Sequence, residues 1–177
     1  MDSYLQQLQQ TLAGAIRGMT IEELARHPTG KWSIAEELEH LYLTYTGTVK
    51  VFRRCLEAGK PLATRPTLKQ RAMTTLIVEC GYFPRGRKAP KQVIPKGMPA
   101  ETVVAEIGPV IATMDELITQ CEARHGARTK VLDHPILGPL TARQWRKFHW
   151  VHGRHHAKNI TQRRKSAAEA GPGPIMP

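Results

Sequence analysis

Four separate stretches of this chain carry apolar residues at three-four spacing, and no other feature restricts the fold so much. That period is the signature of a helix with one buried face. The first stretch holds Leu5, Leu8, Leu12, Ala15 and Met19. The second holds Ile34, Leu38, Leu41, Tyr45 and Phe52. The third holds Val103, Ile107, Val110, Ile111, Met114, Leu117 and Ile118, and the fourth follows Trp145, Phe148, His152, His156 and Ile160. Local signals mark the starts. Thr20 with Glu23 reads as a capping box for a short helix that stops before Pro28. Ser33 with Glu36 caps the second long helix, which is expected to run to about Ala58, with Trp32 as a staple against its first turn. Thr141 is expected to cap the last helix, which extends to about Ala168. Pro109 lies inside the third helix, expected over about Ala100 to Arg124, and predicts a kink or a late start there.

Between the second and third long helices lies a different kind of sequence. GKPLATRP reads as a linker. LKQRAMTTLIVECG fits either a short helix or a strand, because TTLIV is β-branched. YFPRGRKAPKQVIPKGMP reads as a long irregular loop. HGARTKVLDHPILGPL reads as a connection before the last helix. These elements predict an all-α chain: a four-helix bundle with a long irregular basic insertion. One domain is expected over 1–168, with a flexible C-terminal tail, ending GPGPIMP, over 169–177.

The formal charge is +11, and it is uneven. Residues 60–98 hold nine Lys/Arg against the single acid Glu79. Such a segment suits nucleic acid, an anionic lipid or an anionic substrate, and it equally suits a solvated surface. Cys55, Cys80 and Cys121 are odd in number and widely spaced, with no CxxC pair. They make no disulfide framework, which points to a reducing, cytoplasmic setting. Cys55 and Cys80 can be read as nucleophiles, but no His follows either at a telling spacing, and a plain buried cysteine is the expectation for both. No apolar run approaches about 18 residues, so no membrane-spanning helix is expected, and the N-terminus does not read as a signal peptide.

The last helix raises a chemical question. RQWRKFHWVHGRHHAKNITQRR places four histidines within eight positions: His149, His152, His155 and His156. At roughly 100° per residue, His152 and His156 lie within about 20° of Trp145 and His149 within about 40°. His155 falls roughly 80° to the side. An i, i+4 pair of imidazoles on one face can share a divalent ion. It can also be a pair of satisfied core residues, and it needs a third ligand to become a site. His40 lies in the second helix, about 130° from the centre of its apolar stripe. Spacing alone reads it as a surface residue.

Two motifs bear on that choice. WSIAEELEHLYLTY resembles the tryptophan–serine–acid–histidine signature on the second helix of the DinB-like metalloprotein superfamily. HWVHGRHHAKN resembles the H-x-x-x-H pattern on that family's last helix, and DHPILGPLTARQWRKFHWVHGRHH is close to one branch of it. The resemblance implies a four-helix bundle with a three-histidine site at one end, whose ligands here are His40, His152 and His156. His155 then stands beside the site. Asn159 replaces a glutamine found in many relatives and is expected to reach a ligand or a water. The implied cofactor is a divalent ion, Zn or Ni first and Fe or Mn next, together with a low-molecular-weight thiol. The implied reaction is thiol or water activation on a small-molecule substrate, as in an S-transferase or a hydrolase, and the implied partners include a second copy in a homodimer. The contrasting expectation is a non-enzymatic basic bundle. In it Tyr82 and Phe83 stack on nucleic acid while Arg85, Arg87 and Lys88 meet phosphate. A third expectation is a bundle that dimerises and binds metal only for stability.

Overall fold

A computed structural model describes residues 1–84, 86 and 88–169. Six α-helices carry most of the chain: α1 (Ser3–Ile16), α2 (Ile21–Ala25), α3 (Ile34–Ala58), α4 (Leu68–Thr74), α5 (Ala100–His125) and α6 (Ala142–Glu169). The tail beyond Glu169, like Arg85 and Arg87, lies outside the described residues. No helix among the described residues is long and apolar enough to cross a membrane.

The helices begin where side chains can satisfy their free N–H groups. Asp2 accepts from Tyr4 N at the start of α1. Reciprocal capping boxes open α2 (Thr20 and Glu23), α3 (Ser33 and Glu36) and α4 (Thr67 and Gln70). Thr141 and Gln144 exchange the same pair of bonds at the start of α6. Gly59, at φ 67°, ends α3 in a left-handed turn that other residues adopt only with strain.

One expectation needs correction. The chain is mainly rather than wholly α. The connection after α5 forms an antiparallel hairpin, β1 (Lys130–His134) and β2 (Gly138–Thr141). Its apolar residues Val131, Leu132, Leu137 and Leu140 are buried, and the run is too short to show a period. His134 closes the turn by accepting from the N–H groups of Ile136 and Leu137 at 3.1 and 3.2 Å. Helix α5 begins at Ala100, as its periodicity predicts, with Pro109 inside it rather than at a late start. Pro109 and Ala105, whose carbonyl loses its helical partner, are both exposed, so the lost bond falls on the solvent side of the helix.

The ambiguous stretch after the linker is helical: α4 continues into a π-turn over Thr75–Glu79. The linker before it is tied down, with Leu62 N donating to Val131 O and Thr64 to Asp133. Helix α3 packs chiefly on α5, and α1 chiefly on α6. Gly153 allows the second approach, since a Cβ there would overlap the buried side chain of Leu8.

Tyr45 lies at the centre of the core, with its hydroxyl fully enclosed and unpartnered. An unmet buried hydroxyl costs about 1–3 kcal/mol. Tyr45→Phe is therefore expected to leave the melting temperature unchanged or raised. A loss of more than about 1 kcal/mol in thermal unfolding would contradict this reading.

Candidate metal centre

Helices α3 and α6 bring His40, His152 and His156 together, their ligand atoms all within 4.8 Å of one another. His152 Nε2 lies 3.4 Å from His40 Nε2 and 3.2 Å from His156 Nε2. Ring nitrogens about 2.0–2.1 Å from a tetrahedral zinc are separated by roughly 3.3–3.4 Å, so these two spacings fit a shared ion.

The hydrogen bonds fix which nitrogens face inward. His40 Nδ1 is 2.8 Å from the carbonyl oxygen of Val93, which can only accept. His156 Nδ1 is 3.2 Å from Glu37 Oε2, an acceptor when ionised. Both Nδ1 atoms therefore carry the hydrogen, and both Nε2 lone pairs point at His152. Donation of the outer N–H to a carbonyl or carboxylate is the usual orientation device for a metal-bound imidazole. His152 departs from it, because its Nδ1 is buried without a partner. Its ring is oriented by stacking instead. Phe83 and Phe148 lie 5.0 and 5.7 Å from it, inclined by 23° and 21°. The three histidines are thus held by three devices: a backbone carbonyl, a carboxylate and an aromatic flank.

Burial disfavours the charged form of two of these imidazoles, His40 and His152, and only a neutral ring can act as a ligand. Burial lowers His40 below the ordinary imidazole value; Val93 opposes this and His156 adds to it. Burial lowers His152 much further, reinforced by His156, His40, His149 and His155. Glu37 also receives Arg163, whose other nitrogen donates to Trp32 O at 2.7 Å.

His40 is 5 % exposed, which corrects the surface position expected from its helical bearing. The face it occupies is covered by residues 91–98, which include a 3-10 turn over Lys91–Val93. Glu39, beside it, is 2 % exposed and accepts from the backbone N–H groups of Lys96, Gly97 and Met98 at 2.6, 3.1 and 2.9 Å. The segment expected to be an irregular loop is thus fastened to α3.

The other candidates fall elsewhere. Asn159 reaches His155, 3.4 Å away, rather than a residue of the triad. His149 is fully buried and engages Thr48. His27 is an exposed partner of Glu36. Phe83, expected on a nucleic-acid surface, is half-buried against His152 and His155, while Tyr82 is exposed. Cys55 and Cys121 are buried; burial, with Cys55 nearby, pushes the Cys121 thiol up to about 12. Cys80 is exposed, not buried as expected, because it follows the π-turn at the surface. Periodicity missed Glu37, Glu39, Phe83 and Val93. Only Glu37 left a signal, being an acid one helical turn before His40.

A shallow cleft of about 500 Å³ runs beside the triad, lined by Trp32, Lys31, His27 and Glu36 among others. None of the three histidines lines it. It shares Trp32 with the wall of the centre, where that ring lies 5.4 Å from His40.

A family described as "Protein of unknown function (DUF1569)" matches residues 5–163. Neither a curated protein nor a solved structure matches the chain.

Proposed function

Because the chain belongs to the DUF1569 family, whose description assigns no reaction, we propose a function from the centre itself: a DinB-like four-helix bundle that holds one divalent ion on His40, His152 and His156 and uses it on a small molecule. The observation that carries this reading is the convergence of three Nε2 atoms, two of them with tautomers fixed by Val93 and Glu37. A cluster made only for packing gains nothing from aligning lone pairs in a dry interior. Zinc or nickel suits the all-imidazole donor set, with iron or manganese next.

A bound ion would stabilise the anion of a thiol or a water at an open coordination position. The chain's own residues supply the rest. Glu37 holds His156, and Val93 holds His40, each by its outer nitrogen. Phe83 and Phe148 hold the His152 ring and keep water from it, and Trp32 borders the cleft that a small substrate would occupy. The reaction class that fits is S-transfer from a low-molecular-weight thiol or a hydrolysis.

Elemental analysis tests the reading on protein purified without a histidine tag. Wild type is expected to carry about one Zn, Ni, Fe or Mn per chain, and His152→Ala to carry little. Wild type that holds no ion and takes none up on dialysis would leave the histidines as packing residues.

A further inference from the structure

The two neighbouring residues at the head of the centre, Glu39 and His40, both grip the same piece of chain. His40 donates from Nδ1 to Val93 O at 2.8 Å. Glu39 gathers three successive N–H groups, those of Lys96, Gly97 and Met98. A carboxylate that accepts three backbone bonds in a buried site holds its donors firmly, since charged acceptors make the stronger bonds. Glu39 touches no triad nitrogen. It acts on the position of Val93, two residues before the clamped turn begins at Pro95–Lys96.

We infer that Glu39 is a positioning residue for the metal centre, and that residues 91–98 form a strap whose seating is linked to metal occupancy through His40. The inference rests on the reading that the triad binds an ion. An ion on His40 Nε2 requires the hydrogen on Nδ1, and that hydrogen is the one Val93 accepts. Each event therefore favours the other: a seated strap selects the binding tautomer, and an ion holds the tautomer that seats the strap. The linkage is reciprocal, so it is visible from either end.

The strap supplies its own reporters. Lys91 and Lys96 are exposed, and trypsin can cut after both, at Gln92 and at Gly97. Arg17, exposed in the turn after α1, provides a reference cut distant in sequence from the strap. The full chain is digested with and without Zn²⁺, and fragments are followed by mass spectrometry. Zinc is expected to slow the strap cuts about tenfold relative to the Arg17 cut, and to have no such effect in His40→Ala. In parallel, Zn²⁺ titration of Glu39→Gln is expected to show the same stoichiometry as wild type with affinity weakened about tenfold, the lower end of the effect of losing an orienting partner.

Separate outcomes overturn separate claims. If wild type binds one zinc and its strap is cut equally fast in both states, the linkage is wrong and the triad reading survives. If Glu39→Gln loosens the strap but binds zinc as wild type does, Glu39 is a structural clamp only. If wild type binds no zinc, the triad reading fails and takes this inference with it. Should Glu39→Gln not fold, the wild-type digestion alone decides the linkage.

Discussion

Arg146→Met is expected to destabilise the fold by about 3–5 kcal/mol, the range for stranding a buried charge by removing its partner. Arg146 lies on α6 and is 5 % exposed. Its Nε meets Asp115 Oδ1 at 3.2 Å, one terminal nitrogen meets Glu122 at 2.5 Å, and the other donates to Thr119 at 2.8 Å. Asp115 is 6 % exposed and also accepts from Asp2 N at 2.8 Å. The guanidinium therefore joins α5 to α6, and Asp115 extends the network to the residue that caps α1. Methionine fills a similar volume and removes the cation that Asp115 and Glu122 share, leaving Asp115 only the more distant Met1 amino group at 4.0 Å. The measurement is the urea midpoint at pH 7, with the slope checked for constancy. A change below about 1 kcal/mol would show that water replaces the guanidinium. Asp115→Asn is the milder companion, since it keeps the shape and removes one of the two charges.

Acidification is expected to act on a similar scale. His149 and His134 have their proton affinities depressed, to about 3 and about 4, in both cases chiefly by burial. Geometry agrees with the direction. His134 Nδ1 accepts two backbone N–H bonds, and a proton there would abolish both. Thr48 gives its hydroxyl hydrogen to Thr44 O and so accepts from His149 Nε2, which leaves His149 Nδ1 as an enclosed lone pair with no acceptor near it. Above the unfolded value of about 6.5, both states hold these rings neutral and pH has no effect through them. Below it the unfolded chain takes up protons that the folded chain refuses, so stability falls as pH drops towards the folded values. At pH 5 each ring has lost about 2 kcal/mol, and the pair about 4 kcal/mol. Urea midpoints of the metal-free protein at pH 7 and pH 5 measure this. Equal midpoints would mean that the two rings are hydrated in the fold.

Much of this architecture was readable because its signals are local. The reciprocal caps at Thr20, Ser33 and Thr141 lie three residues from their partners, and the apolar stripes repeat within each helix. The pair His152 and His156 was readable for the same reason, one turn apart on a buried face. His40 was not. Its bearing places it off the stripe, and it is buried because residues 91–98, some fifty positions later, lie across it and Trp32, His152 and His156 pack on its ring. That segment has no period to read, and its fastening depends on Glu39, which looks from sequence like any exposed helical acid. Only the resemblance of its surrounding motif singled out His40. The hairpin escaped notice because four or five residues per strand are too few to separate alternation from a connection.

The pairing of α1 with α6 has a consequence for how the protein is made. A ribosome delivers the chain from the N-terminus, and α3 can find α5 while the last helix is still unsynthesised. Helix α1 cannot find its main partner, which starts at Ala142. His40 likewise waits, for a residue 112 positions downstream. The first helix therefore emerges well before the helix that covers most of it. The triad cannot assemble until His152 and His156 of α6 have been made and have met α3.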